Sequence, residues 1–236
     1  MRSFIGVSLL ALLIGCGNDD ADGVFVTASW TFRSVSSSSA LACPAGFTLA
    51  ALHARSTDGS PCNDAGDTDC VSPLPCSPGA GTSTKLLPGV YEVWLAITND
   101  DASATYTTTT SDTLDLSLGD KAFARQILTD GGVFKFAWKL KGSDGTPRNC
   151  EQGTVFGVVI SAINEADPSS ANTDEIDCDK GSGYSYGYAA GTYTVSFEAV
   201  NDSGQTRGLG TDQTGRVIVA PNGVTDLGTV EIPLAP

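Results

Sequence analysis

Two stretches of this chain repeat one frame. Residues 88–100 read Pro-Gly-Val-Tyr-Glu-Val-Trp-Leu-Ala-Ile-Thr-Asn-Asp, and residues 190–202 read Ala-Gly-Thr-Tyr-Thr-Val-Ser-Phe-Glu-Ala-Val-Asn-Asp. Gly89 aligns with Gly191, Tyr91 with Tyr193, Val93 with Val195 and Leu95 with Phe197, always 102 residues apart. Cys76 and Cys178 each precede their tyrosine by fifteen residues. Upstream, Trp30 lies thirteen residues before Cys43, and Trp138 twelve before Cys150. Each tryptophan follows a Gly-Val-Phe, and Gly46 and Gly153 each sit three residues past their cysteine. A duplicated frame of this length predicts two copies of one unit, 22–130 and 131–236, each about 105 residues, the size of one β-sandwich. Asp130-Gly131-Gly132 is a natural boundary.

Within each copy the apolar residues alternate, which is the period of a half-buried strand. Tyr91, Val93, Leu95 and Ile97 share one face, as do Tyr193, Val195, Phe197 and Ala199. Asn-Asp then supplies a turn. Further strands are expected at 24–34, 47–55, 104–110, 113–118 and 122–128. In the second copy they are expected at 133–141, 154–162, 192–200, 215–220 and 226–233. The Thr107–Thr110 run suits an exposed strand. No segment gives a convincing helix, so the chain is expected to be all-β.

The Gly-x-Tyr strand start resembles the tyrosine corner of immunoglobulin-like domains, in which a tyrosine bonds back to the backbone just upstream. Antibody-type domains place a cysteine two residues later; Val93 and Val195 stand there instead, so that bridge is absent. The Pro-Gly-Val-Tyr-Glu-Val run is also similar to the regulatory β-sandwich appended to some carboxypeptidases and bacterial surface proteins. The resemblance implies two tandem Ig-like antiparallel β-sandwich domains.

The first fifteen residues read as an address. Arg2 gives a positive start, and Phe4 to Ile14 form an apolar run of about eleven residues, within the range of a signal core and short of the roughly 20 a spanning helix needs. Leu13-Ile14-Gly15-Cys16 resembles the lipobox of bacterial lipoproteins. That resemblance implies cleavage after Gly15, a diacylglyceryl group on Cys16 and a further acyl chain such as palmitate on its freed amine. Residues 16–21 would then form a short tether. Gly17 follows the cysteine where enteric bacteria use Asp for inner-membrane retention, which favours the outer membrane.

Seven cysteines are odd for an exported protein. Lipidation of Cys16 leaves six. Cys150 and Cys178 are alone in the second copy and should pair, which makes Cys43 with Cys76 the counterpart and leaves Cys62 with Cys70. The rival joins Cys43 to Cys70, because Asp69-Cys70 mimics Asp177-Cys178. Zinc is disfavoured, since paired C-x₂-C units are missing.

Composition narrows function. Thirteen Lys and Arg stand against 27 Asp and Glu, a net charge of −14, which argues against nucleic-acid binding. A hydrophobic share of 41% is too high for a wholly disordered chain. His53 is the single histidine; it falls on an expected strand, where the repeat sets Ile160 opposite it. Serine elbows, Walker loops and His-Glu-x-x-His are missing, so neither catalytic residues nor a cofactor are expected. Asn201-Asp202-Ser203 fits a glycosylation frame by accident in a bacterial protein.

Two acidic groups could offer oxygens to calcium: Asp64, Asp67 and Asp69 beside Asn63, and Asp174, Asp177 and Asp179 beside Glu175. Neither matches an EF-hand frame, so a solvated rim is the plainer account. Tyr184, Tyr186 and Tyr188 alternate with Ser185 and Gly187; on an extended chain their rings would face one way and could bind a ligand, by stacking on a sugar or a protein partner. The expected function is a non-enzymatic cell-envelope lipoprotein, membrane-bound through Cys16 and displaying two disulfide-bonded sandwiches for structural or adhesive contact with an envelope protein or glycan. The alternative is a surface lipoprotein that binds a ligand, glycan or calcium.

Overall fold

The computed structural model describes residues 23–77 and 79–235. The expected signal segment, the lipobox-like residues and Cys16 lie outside them. The first copy runs β1 (Val26–Arg33), β2 (Ala40–Leu41), β3 (Leu49–Ser56), β4 (Asp69–Pro75), β5 (Ala80–Thr82), β6 (Val90–Thr98), β7 (Thr105–Thr108), β8 (Asp112–Asp115) and β9 (Lys121–Leu128). The second runs β10 (Gly131–Lys141), β11 (Pro147–Arg148), α1 (Cys150–Gly153), β12 (Gly157–Asn164), β13 (Asp167–Asp177), β14 (Ser182–Tyr184), β15 (Tyr188–Ala189), β16 (Gly191–Val200), β17 (Thr206–Leu209), β18 (Gln213–Ile218) and β19 (Gly223–Pro233).

Each copy folds into two facing sheets of the same connectivity. One sheet of the first copy is β2-β1-β5 with β9 beside β1; the other is β4-β3-β6-β7 with β8 also on β6. The second copy repeats this as β11-β10-β14 with β15 and β19 on β10, and β13-β12-β16-β17 with β18 on β16. The all-β expectation holds, with one departure from antiparallel order in each copy. β9 runs parallel to β1, and β19 parallel to β10. Each enters from the opposite sheet, and that crossover sets its direction.

Alternation builds the cores. Val26, Ala28, Trp30 and Phe32 point inward from β1 while Thr27, Ser29 and Thr31 face water. Phe134, Phe136, Trp138 and Leu140 do the same from β10. They meet Tyr91, Val93, Leu95 and Ile97, or Tyr193, Val195, Phe197 and Ala199, from the facing sheet. Two separate clusters result, one spanning Val24–Ile127 and one Phe134–Leu234. The tyrosine corner is present twice. The Tyr91 hydroxyl donates to the Leu87 carbonyl at 2.6 Å, and that of Tyr193 to Ala189 at 2.9 Å. Each ring folds back over its glycine: a Cβ on Gly89 would lie 3.3 Å from the Tyr91 ring, and one on Gly191 3.5 Å from Tyr193.

Two strands, β4 and β13, lie outside the expected strand positions. β4 buries Cys70, Ser72 and Leu74 and turns Val71, Pro73 and Pro75 outward; proline is tolerated because this is an edge strand, where its missing N–H faces solvent. β13 is another edge strand and carries Asp174, Glu175 and Asp177. Its composition hides it, because an edge strand with one wet face needs few apolar residues. The described residues also include a single 3-10 turn at Cys178–Lys180 and one short α-helix, α1. Asn149 accepts from the Gln152 N–H at 2.8 Å, and Gln152 accepts from that of Asn149 at 3.2 Å, a reciprocal cap.

Disulfides join Cys43 to Cys76, Cys62 to Cys70 and Cys150 to Cys178, spanning 33, 8 and 28 residues. By loop-closure entropy alone, the 28-residue bridge should contribute about 3.6 kcal/mol and the 8-residue bridge about 2.5. Replacing Cys150 and Cys178 together by Ala should therefore lower unfolding free energy by about 1 kcal/mol more than replacing Cys62 and Cys70. Urea titrations of the two double variants, with the parent as reference, would check the order.

Candidate functional site

The tyrosine segment follows the second copy's disulfide. β14 pairs with β10, setting Tyr184 opposite Lys135. Gly183 lies against Ile176, whose Cδ1 would be 2.7 Å from an added Cβ. Tyr184 is 43% exposed and Tyr186 76%, but Tyr188 is only 1% exposed. The expectation of three rings on one side is thereby corrected. Ser185 turns inward, its hydroxyl accepting from the Phe134 N–H at 2.9 Å and donating to the Tyr186 carbonyl at 2.9 Å. Regular pairing is interrupted between β14 and β15, and the alternation slips by one residue there. Tyr188 then enters the core against Phe134 and Tyr193, at ring separations of 5.3 and 5.5 Å. Gly187 permits this passage: a Cβ there would lie 2.6 Å from Leu128 of the first copy.

Asp174 holds the segment from below. Its Oδ2 accepts from the Tyr186 N–H at 2.9 Å and from the Tyr188 hydroxyl at 3.1 Å. It is 6% exposed. Burial pushes its carboxyl above the ordinary range, against the opposing pull of those two hydrogen bonds. Burial, and then the Asp174 charge, also push the Tyr188 hydroxyl up. In the first copy, 102 residues earlier, Ser72 performs the same backbone task, accepting from the Thr84 N–H at 2.8 Å.

The other acidic residues do not converge. Asp67 accepts from Asn63 at 2.8 Å. Asp69 takes Arg55 at 3.0 Å and His53 at 3.4 Å. Asp177 faces Lys180 at 3.5 Å. Among the described residues there is no group of three or more His, Cys, Asp or Glu arranged to hold a metal, so Asp64, Asp67, Asp69, Asp174, Asp177 and Asp179 form no common cage there. His53 stacks on Trp94 with centroids 4.6 Å apart, and Arg55 lies 4.8 Å from the same ring. The register corrects its expected partner. Leu52 pairs with Leu95 as Ile160 pairs with Phe197, so Ile160 corresponds to Leu52 and His53 to Ser161.

Sequence reasoning set the boundary at Asp130-Gly131-Gly132 but missed the contacts that form there. Only Thr129 and Asp130 separate β9 from β10. The Asp130 carboxylate accepts from the Val35 N–H at 2.6 Å, the Ser34 hydroxyl at 2.7 Å, the Ser36 N–H at 3.2 Å and the Ser36 hydroxyl. Burial would raise its pKa, but the bonds from Ser36, Val35 and Ser34 outweigh it and hold the carboxyl well below the usual range. Across the boundary, Asn222 donates its N–H to the Leu128 carbonyl at 2.8 Å and accepts from the Leu128 N–H at 3.1 Å. Thr107 donates to the Pro221 carbonyl at 3.2 Å. Beside these bonds lies a cleft of about 320 Å³, walled by Asp112, Arg125 and Gln126 from one copy and Val133, Tyr184 and Val224 from the other. A second cleft, about 440 Å³, runs between β13 and β14 past Tyr184 and Tyr186.

No family profile matches the chain. No curated protein matches it in sequence. Solved structures align with much of the chain at low identity. A leucine-rich repeat protein from Bacteroides thetaiotaomicron is 15% identical over 90% of this chain and 26% of its own, with a TM-score of 0.36; the chain thus spans about a quarter of that protein. A candidate adhesin from Bacteroides ovatus is 11% identical, over 100% of this chain and 96% of its own, with a TM-score of 0.30. A streptococcal ancillary pilin is 15% identical, over 92% and 64%, with a TM-score of 0.27. At these identities and scores the likeness carries no activity or partner to this chain.

The buried carboxylate gives a pH signature. A carboxyl whose folded pKa is raised contributes stability fully present below its unfolded pKa of about 3.9 and lost as pH rises through the folded value. Asp174→Asn keeps an acceptor for Tyr186 and removes the charge. The melting temperature of D174N relative to the parent should therefore rise from about pH 4 toward neutrality. A difference independent of pH would show that Asp174 is not a strained ionised group.

Proposed function

We propose that this chain is a non-enzymatic lipoprotein of the bacterial cell envelope, tethered through Cys16 and projecting two β-sandwich domains, 22–130 and 131–236, for structural or adhesive contact. The observation that carries this reading is the junction. Two disulfide-stapled sandwiches follow one another with two intervening residues, and Asp130 and Asn222 tie each copy to the segments that meet there. A body built this way transmits position and force rather than opening and closing around a substrate. The lipobox-like Leu13-Ile14-Gly15-Cys16 supplies the tether, and acyl chains stabilise anchoring by ~0.8 kcal/mol per buried methylene. Loss of Arg2 with the signal would leave 12 basic and 27 acidic residues, a charge that holds the domains off anionic lipid. The outer membrane is the expected site, and an envelope protein or glycan the expected partner. Among the described residues no helix is long and apolar enough to cross a membrane.

In cells fed an alkyne-tagged palmitate, the parent should carry the label and sediment with the outer-membrane fraction. Cys16→Ser should lose the label and leave that fraction. A membrane-bound, unlabelled parent would overturn the lipid tether.

A further inference from the structure

Two features that the tether and the sandwiches leave unused lie side by side: the exposed rings of Tyr184 and Tyr186, and the cleft at the junction. Tyr184 lines both the junction cleft and the cleft between β13 and β14. The two clefts therefore adjoin at that ring and together form the candidate groove. On the junction side, Arg125 is held by the Thr110 carbonyl at 3.1 Å, the Ala124 carbonyl at 2.9 Å and Asp112 at 2.5 Å. Its side chain is mostly buried while that of Asp112 is 51% exposed, so a fixed carboxylate faces the groove. Val133 and Val224 give an apolar wall. At the far end, Glu175 and the Asp177–Lys180 pair rim Tyr186.

We propose that this groove binds an extended, neutral oligosaccharide, with sugar rings stacked on Tyr184 and Tyr186 and hydroxyls bonded to Asp112 and Gln126. A sugar has an apolar face and a hydroxylated edge. The groove offers the complement: exposed aromatic rings beside a few oriented polar groups in a concave, partly apolar site. Charge selects against anionic glycans. Arg125 is paired with Asp112 and Lys180 with Asp177, and the chain carries a net −14. Length follows from geometry, since two clefts of about 320 and 440 Å³ meeting at one tyrosine suit several sugar units. The first copy places Thr82 and Thr84 where the second has Tyr184 and Tyr186, so the groove belongs to the second copy and the junction alone. The proposal rests on the adhesive reading and gives it a ligand class.

The test uses the full-length lipoprotein in detergent on an array of neutral and acidic bacterial-envelope oligosaccharides graded in length. The parent should retain neutral oligosaccharides. Tyr184→Ala should weaken binding at every length by about tenfold or more, about 1.4 kcal/mol, and Tyr184→Phe should recover it to within about threefold because stacking survives. Tyr186→Ala should weaken only the longer ligands. Should Tyr184→Ala melt well below the parent, Gln126→Ala serves in its place with the same expected direction. Retention of no neutral sugar, preference for acidic ones, or unchanged affinity in the folded variants would overturn the groove. Capture of a purified envelope protein by a parent that binds no sugar would sink the groove and leave the adhesive reading standing. Failure of both would sink both.

Discussion

The parallel pairing of the last strand of each copy with its first governs the rest of the molecule. β9 lies along the whole of β1, from Val26 beside Lys121 to Arg33 beside Leu128. The end of β9 is thereby brought to the end of β1, where the Ser34–Ser36 turn begins. Asp130 sits where it can accept four hydrogen bonds from that turn, and β10 starts at once. The two copies are joined with almost no linker, because the fold delivers the chain to the place where the next copy must begin. Every later feature of the junction, including the approach of Leu128 to Gly187 and the clasp on Asn222, depends on that delivery.

The copies share a scaffold but solve one local problem with different chemistry. The segment after each second cysteine turns a backbone N–H toward the neighbouring edge strand, and a buried N–H needs an acceptor. In the first copy a neutral hydroxyl, Ser72, supplies it, and Leu86 fills the core below. In the second copy a carboxylate supplies it and a tyrosine fills the core, bonded to that carboxylate. A buried ionised group is costly without donors. Tyr188 therefore acts as a partner as well as core, and its inward turn leaves Tyr184 and Tyr186 alone on the surface. The same Trp–disulfide frame recurs in both copies. The backbone N–H groups of Trp30 and Trp138 donate to the Gly79 and Gly181 carbonyls at 2.7 and 3.1 Å, with the bridge beside each.

Much of this was legible in advance. The period of two marked β1, β3, β6 and their counterparts, because these central strands bury one face fully. The constant spacing from cysteine to corner tyrosine pointed to Cys43 with Cys76 over the Cys70 rival. The edge strands β4 and β13 were not legible. Their residues, Pro73 and Pro75 in one and Asp174, Glu175 and Asp177 in the other, read as loop because an edge needs few apolar side chains. The cap of α1 was visible as Asn149-x-x-Gln152 and passed over, since one turn carries no periodicity.

By itself, the amino-acid sequence determined the all-β class, the twofold repetition, the tyrosine corners and the lipobox-like start, because each depends on residues near one another in the chain. Only the tertiary structure decided which tyrosines face solvent, that Asp174 lies in the core, and that a groove forms across the junction. Those outcomes depend on register. A one-residue slip between Tyr186 and Tyr188 reverses the direction of a side chain, and the packing of Leu128 against Gly187 that accompanies it joins residues 59 positions apart in the chain.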